Sequence, residues 1–169
     1  MYAAKIGNKA LGISCEERSI EVARERTNIL GVTNVSFITT DLRNLDKKSN
    51  IIGKFNQIIC FKTFEHVLND KKLLIDLSNI LEVGGKLLLT ASYKNHKALL
   101  YESLSTSEGG GHVRWGYSYE EIRHLFQEAG LEMTTEKARQ RFHYSKVYGS
   151  DAIFRPSAPN LRCSDNPVT

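Results

Sequence analysis

The 169-residue sequence lacks the features that mark metal-binding, secreted and membrane-spanning proteins. Its three cysteines, Cys15, Cys60 and Cys163, have neither the spacing of a zinc ligand set nor that of a C-x-x-C redox pair. We therefore predict no metal site, and we interpret Cys60, which lies in an apolar run, as a buried reduced thiol. No hydrophobic run reaches the roughly 20 residues of a membrane span, and the N-terminus lacks the apolar core of a signal peptide. These absences predict a cytoplasmic protein without a membrane span.

The sequence also lacks a large excess of positive or negative residues. The formal net charge is only +4, and basic residues alternate with acidic ones, as in the segment CEERSIEVARERT. This alternation is typical of a solvated helix face, so we predict no nucleic-acid partner. The hydrophobic fraction of 41% and the charged fraction of 25% are those of an ordinary globular protein, and the length suits one domain with its own core.

What the sequence does contain is a regular alternation of strand and helix patterns. Short apolar or β-branched runs predict strands over residues 9–14, 34–39, 55–61, 86–92 and 131–135. Apolar residues at helical spacing predict helices over residues 16–30, 70–81 and 118–129. Residues 41–54 are predicted to be loop-like, with a short helical turn as the alternative, and residues 93–117 are predicted to be a long loop. This order predicts an α/β protein with a Rossmann-like, open and mostly parallel sheet that is flanked by helices.

The glycine-rich turn that such sheets use to grip a nucleotide is missing. That turn follows the first strand and contains a G-x-G sequence. Residues 1–60 contain only Gly7, Gly12, Gly31 and Gly53, and no two of them form a G-x-G. We therefore expect the first strand and its glycine-rich turn to be absent, and the chain to be truncated at its N-terminus.

Several motifs in the correct order carry a family resemblance over roughly residues 9–135. The segments FNQIICFKTFEHV and LEVGGKLLLTAS resemble class I S-adenosylmethionine-dependent methyltransferases, which have an EHV signature after the fourth strand and a GG turn before the fifth. The resemblance implies methyl transfer from S-adenosylmethionine to a small-molecule or lipid acceptor. Residues 1–154 then form a partial methyltransferase domain, and the proline-containing residues 155–169 are predicted to be a disordered tail.

The resemblance also implies a set of cofactor-binding residues. These are Ser14 and Glu16 at the ribose, Asp41 and Leu42 at the adenine, and Phe64 beside the ring. Each has a structural alternative: Ser14 and Asp41 suit turns or caps, Glu16 suits a helix N-terminus, and Phe64 suits a core. Without the glycine-rich turn, we expect this chain to bind S-adenosylmethionine weakly or not at all.

The acceptor side is implied by two further segments. His66 of the EHV signature resembles the family residue at which the methyl donor meets the acceptor, and a histidine can accept a proton near neutral pH. The alternative is a hydrogen-bonded structural histidine. The segment GGGHVRWGYS resembles a loop that faces the acceptor, which implies substrate contacts from His112, Arg114 and Tyr117, together with Tyr93. Its alternative is a flexible surface connector.

Two other functions compete with an active methyltransferase. The first is a methyltransferase-fold remnant or partner subunit that does not bind the cofactor independently. The second is a dinucleotide-dependent oxidoreductase with a similar sheet. The spacing of the EHV and GG motifs disfavours it, and so does the lack of an acidic residue after a glycine fingerprint.

Overall fold

A computed structural model describes residues 2–94, 104–106, 111–140 and 148–156, with side chains described in 4–94, 104–106 and 111–134. The chain divides into two compact units, Met1–Asn50 and Ile51–Thr169. Strands and helices alternate through both units, so the predicted α/β class is confirmed. None of the helices in the described residues is long and apolar enough to cross a membrane.

The first unit is built around a parallel pair of strands with a crossover helix. Its elements are α1 (Tyr2–Lys5), β1 (Ala10–Ser14), α2 (Glu17–Ile29), β2 (Val35–Thr39), a 3-10 turn (Leu42–Asn44) and α3 (Leu45–Ile52), which extends past the unit boundary. Strands β1 and β2 pair from Ala10 with Val35 to Ser14 with Thr39. A side chain at Gly12 would place its Cβ 2.5 Å from the Phe37 ring, so this position requires glycine.

The second unit contains a four-stranded mixed sheet. Its elements are β3 (Phe55–Phe61), a 3-10 turn (Phe64–His66), α4 (Asp70–Asn79), β4 (Leu81–Ser92), α5 (Tyr119–Glu128), β5 (Leu131–Gln140) and β6 (Tyr148–Pro156). The strand order is β3-β4-β6-β5, with β3 parallel to β4 and β6 antiparallel to both neighbours. The largest buried apolar side chains are Phe64, Leu73, Leu74, Leu87, Leu89 and Phe126. They come from the sheet, from both helices and from the turn after β3, so the core fixes that turn against the sheet.

Three predictions need correction in this fold. Residues 45–52, predicted as a loop with at most a short helical turn, form the eight-residue helix α3, whose Leu45 is fully buried. The GG pair does not open a strand; it lies inside β4, where Gly84 adopts φ 76° and the pairing with β3 shifts between Phe55 and Gln57. The end of the chain adds β6, so Arg155 and Pro156 belong to a strand and not to the predicted tail. Residues 157–169 lie outside the described part of the chain.

Strands β1 and β3 each pair on one side only among the described residues. Strand β1 pairs with β2, and β3 pairs with β4. On β3, Ile59 and Phe61 are more than half exposed, although the apolar sequence is typical of a strand buried on both faces. Within the described residues, each of these two strands therefore has one edge without a strand partner.

Candidate active site

The predicted ribose-binding residues lie where β1 leads into α2. The backbone N–H of Glu16 donates to Ser14 Oγ at 3.1 Å, and Ser19 Oγ donates to the Glu16 carboxylate. Glu16 is the N-cap of α2, although its side chain caps no backbone N–H. Both residues therefore have local structural roles, and their contact with a ribose stays a prediction.

The predicted adenine-binding residues lie just after β2. The backbone N–H of Arg43 donates to Asp41 Oδ1 at 2.9 Å, and Arg43 Nε donates to Oδ2 at 2.8 Å. The hydrogen bond from the Arg43 side chain holds the pKa of Asp41 below its usual value. Leu42 begins the 3-10 turn and is half-buried. The capping role of Asp41 is thus visible in the structure, and its adenine contact stays a prediction.

The two predicted cofactor positions of the first unit share one edge of its sheet. Ser14 and Thr39 are partners in the parallel ladder, and Thr40 N–H donates to the Ser14 carbonyl at 2.9 Å. Ser14 and Asp41 therefore follow the carboxyl ends of neighbouring parallel strands. Ligands of open α/β sheets bind at this edge.

The turn after β3 carries the EHV signature. Lys62 opens it with φ 49°, in the left-handed region that non-glycine residues rarely occupy. Phe64 is fully buried and its ring lies 6.1 Å from that of Tyr117. Phe64 is therefore a core residue in the structure, with no exposed surface. Its contact with the cofactor stays a prediction.

Glu65 is the least expected residue of this turn, because it is a buried carboxylate. Its side chain is 1% exposed. Ser92 Oγ donates to Oε1 at 3.0 Å, while Oε2 is buried and has no hydrogen-bond partner among the described residues. A buried carboxylate oxygen without a partner is costly, which marks the place as a candidate functional site.

His66 and His112 lie together beside Glu65. The His66 Nδ1 is 2.9 Å from the Gly111 carbonyl oxygen, and the two imidazole rings meet edge to face with centroids 4.8 Å apart. Because a carbonyl only accepts hydrogen bonds, His66 Nδ1 carries a proton in this contact, and in the neutral ring the lone pair lies on Nε2. Both histidines are half-buried.

Backbone hydrogen bonds hold the segment after residue 110 against this turn. Val113 N–H donates to the Glu65 carbonyl at 2.8 Å, and Ser105 N–H donates to the His112 carbonyl at 2.8 Å. The structure thus brings His66 and His112 together as the predicted acceptor site requires. Gly109 and Gly110 of the same segment lie outside the described residues.

Arg114 and Tyr117 make contacts within the protein that the sequence did not predict. Arg114 Nη1 contacts Asp70 Oδ2 at 2.8 Å, and its Nη2 donates to the carbonyls of Val67 and Leu68. Tyr117 Oη donates to Asp70 Oδ2 at 2.8 Å and lies 3.2 Å from the Phe64 carbonyl. These bonds fix the turn that carries Glu65 and His66, and substrate contacts by Arg114 and Tyr117 stay predictions.

Tyr93 continues β4 towards the same segment. It forms a parallel bridge with Tyr117, and its half-buried ring lies 5.2 Å from that of Tyr119. Between these contacts, Gly116 at φ 108° approaches Ser92 so closely that a Cβ would lie 2.4 Å from its carbonyl oxygen. Glycine at 116 therefore allows the segment to lie against the end of β4.

Three residues of this site were not among the residues predicted to bind a ligand or to act in catalysis: Glu65, Asp70 and Ser92. Each acquires its role from partners distant in sequence, such as Ser92 with Glu65 and Asp70 with Tyr117. The one available signal was the position of Glu65 beside His66 in the EHV signature.

Comparison with known proteins identifies the class to which this fold and site belong. The profile of the "Methyltransferase domain" family matches residues 2–137, most of the chain. The chain belongs to this family, and the predicted resemblance to S-adenosylmethionine-dependent methyltransferases is confirmed. The Rossmann-like fold is confirmed with it.

Individual relatives are more distant. The ubiquinone biosynthesis O-methyltransferase of Coxiella burnetii is 28% identical over 98 residues, which cover 58% of this chain and 40% of the relative. The match thus spans well under half of that relative's length. Truncation of the present chain stays a prediction.

Solved structures show the same fold at low sequence identity. The magnesium protoporphyrin IX methyltransferase of Synechocystis, with bound S-adenosylhomocysteine, superposes with a TM-score of 0.67 at 17% identity, over 91% of this chain and 67% of that one. The N-methyltransferase NodS of Bradyrhizobium japonicum gives 0.66 at 18% identity, over 88% of this chain and 66% of that one.

Proposed function

We propose that this chain transfers a methyl group from S-adenosylmethionine to a hydroxyl group of a small molecule. The observation that carries the proposal is the arrangement at the end of β3, where the Gly111 carbonyl fixes the His66 ring beside His112. Methyl transfer is an in-line displacement in which positioning supplies much of the catalysis. A histidine held in one tautomer, with Nε2 free, is suited to contact the acceptor atom.

The acceptor class is supported by the curated relative, whose name specifies O-methyl transfer in ubiquinone biosynthesis. A small-molecule hydroxyl is therefore preferred to a lipid, which remains the second acceptor class. The cofactor side rests on Ser14, Glu16, Asp41 and Leu42 at the strand ends of the first unit. A cytoplasmic location, predicted from the reduced Cys60, is part of the same proposal.

Replacing His66 by alanine tests the proposed contact with the acceptor. We expect His66→Ala to lower kcat by about 100-fold or more, while the KM for S-adenosylmethionine changes little, because positioned acid–base groups contribute about that much. Steady-state kinetics with a hydroxyl acceptor measure both constants. The control is His124→Ala, whose side chain on α5 is 73% exposed. Equal losses in kcat and cofactor affinity would instead assign His66 to the cofactor site.

The second candidate is a methyltransferase-fold protein that does not bind the cofactor by itself. The observation that favours it is the absence of any G-x-G among residues 1–60. Calorimetric titration with S-adenosylmethionine separates the two functions. Micromolar affinity supports the enzyme, whereas no binding by the folded chain supports the non-binding subunit.

A further inference from the structure

We propose that Glu65, His66 and His112 form a binding site for one divalent transition-metal ion, with zinc the best match. A carboxylate oxygen of Glu65 and one ring nitrogen of each histidine lie within 4.8 Å of one another. The metal site stands on these side chains alone, so it goes beyond methyl transfer and does not depend on it.

The buried carboxylate is the independent observation that points to a ligand. Glu65 is 1% exposed, and its Oε2 has no hydrogen-bond partner although Oε1 accepts from Ser92. A cation beside Oε2 would compensate the desolvation of this charge, as no described protein donor does. The buried Glu65 carboxylate is therefore suited to bind a cation.

The tautomer of His66 prepares the second ligand. Its Nδ1–H donates to the Gly111 carbonyl at 2.9 Å, which leaves the Nε2 lone pair available. Metal-bound histidines usually donate their other ring N–H to a carbonyl or carboxylate, which fixes the ring and raises its basicity. The Ser92 hydroxyl supports Glu65 in the same way, so two of the three ligands already have outer hydrogen bonds.

The donor set selects the metal. Two imidazole nitrogens with one carboxylate oxygen suit zinc and its neighbours, whereas magnesium and calcium prefer oxygen ligands throughout. Three protein ligands leave a fourth position for water or a substrate oxygen. Ligand atoms of a tetrahedral zinc ion stand about 3.3 Å apart, given Zn–N bonds of about 2.0 Å. Small side-chain rotations of the half-buried histidines therefore suffice to close the site.

The cysteine spacing predicted no metal site, but the ligands here are two histidines and a glutamate. The present ligands come from the turn after β3 and from the segment before α5, and the Val113–Glu65 backbone hydrogen bond of 2.8 Å brings them together. A metal would also change the role of His66, because the same Nε2 lone pair cannot both bind a cation and contact the acceptor. In the metal-bound chain the acceptor oxygen would instead occupy the fourth ligand position, so His66 would act on it through the metal.

Zinc binding is tested on the whole chain after treatment with a chelator. Titration with zinc chloride is followed by calorimetry, and the amount of zinc bound per chain after dialysis is measured by elemental mass spectrometry. We expect one zinc per chain. His112→Ala and Glu65→Gln should each weaken binding at least about tenfold, while His124→Ala leaves it unchanged.

Circular dichroism verifies that each variant is folded. If the substitution of the buried Glu65 prevents folding, His112→Ala alone tests the zinc site. The proposal is overturned if the wild-type chain binds no zinc. It is equally overturned if folded His112→Ala retains wild-type affinity, which would place the zinc on other residues such as the exposed Cys15.

Discussion

Arg114 illustrates how a residue that suits anion binding can instead hold a turn in place. Its guanidinium contacts Asp70 and two carbonyls, and it lies 5.2 Å over the Tyr117 ring. Burial, followed by the charge of the Asp70 carboxylate, holds the pKa of Tyr117 well above its usual range. The hydroxyl therefore stays protonated and remains a donor to Asp70 through the physiological range.

Arg114 and Tyr117 should be energetically coupled, because both contact Asp70. Tyr117→Phe removes buried hydrogen bonds and should lower the free energy of unfolding by about 1–3 kcal/mol. Arg114→Lys keeps the charge but loses the planar fork, with a similar cost. The double variant, measured by urea unfolding, should show a coupling energy of at least about 0.5 kcal/mol.

The exposed Arg18→Lys on α2 is the matched control, and its effect should stay within about 0.5 kcal/mol. Strict additivity of Arg114→Lys and Tyr117→Phe would show that the two side chains stabilise the turn independently.

The two described cysteines should differ strongly in reactivity. Burial, with a smaller contribution from the Glu65 carboxylate, raises the pKa of the Cys60 thiol to about 11. In a Cys163→Ser background at pH 8, the exposed Cys15 should react readily with a disulfide reagent. Cys60 should react more than about a hundredfold more slowly than an unperturbed thiol, because its thiolate is scarce. Unfolding in urea should release it, and two equally fast thiols in the native protein would contradict its burial.

At the scale of elements, the N-terminus of α5 contains a reciprocal capping box. Glu121 N–H donates to Ser118 Oγ at 3.2 Å, and Ser118 N–H donates to Glu121 Oε2 at 2.7 Å. Lys94 Nζ adds an ion pair to Glu121 at 2.9 Å. The Ser118 backbone N–H, followed by Lys94, lowers the pKa of the Glu121 carboxyl. The folded state therefore binds this proton less readily than the unfolded state does.

Ser118→Ala should lower the free energy of unfolding by about 1 kcal/mol, because the N3 amide loses its acceptor. The exposed Ser36→Ala on β2 should change it by less than about 0.5 kcal/mol. Because the pKa of Glu121 is lower in the folded state, its contribution is present at neutral pH and is lost as the pH falls below about 4.5. Urea unfolding of both serine variants and of Glu121→Gln across pH 3 to 7 measures these changes in the free energy of unfolding. If Glu121→Gln loses as much stability at acid pH as the wild-type chain does, the effect belongs to other carboxylates.

Elements with a strong local signal were predictable from the sequence. The bounds of β3 were predicted correctly as Phe55–Phe61, and the capping box and Gly130 delimit α5 as expected. Elements that depend on long-range packing were not. Helix α3 is polar except at Leu45 and two isoleucines, so its burial of Leu45 could not be read from periodicity. Strand β6 pairs on one side with β5, the preceding strand in the chain, and on the other with β4, more than 50 residues earlier.

The candidate site shows the same division. His66 and His112 were predicted individually from motifs, but their contact depends on the pairing of Val113 with Glu65 and on the glycine at 116. Neither constraint is visible in a local pattern. The roles of Ser14 and Asp41 as turn and cap residues were both foreseen as alternatives to cofactor binding.

At the scale of the whole molecule, the open edge of β3 should promote self-association. Ile59 is 53% exposed on this edge strand. We expect the molar mass measured by light scattering to rise with protein concentration, and Ile59→Lys to suppress that rise with less than about 0.5 kcal/mol change in stability. Ile51→Lys is the control, because Ile51 is 81% exposed on α3 and not on a strand edge. A large loss of stability in Ile59→Lys would show that Ile59 is packed in the native protein.

Methyl transfer itself is tested most directly with S-adenosylmethionine that carries a deuterated methyl group. The purified chain is incubated with this donor and a panel of small phenols, amines and fatty acids, and the products are identified by mass spectrometry. We expect a labelled methyl group on a hydroxyl acceptor, with a yield that falls in His66→Ala and persists in His124→Ala. A folded protein that labels none of the acceptors, or labels them equally with and without His66, would contradict it.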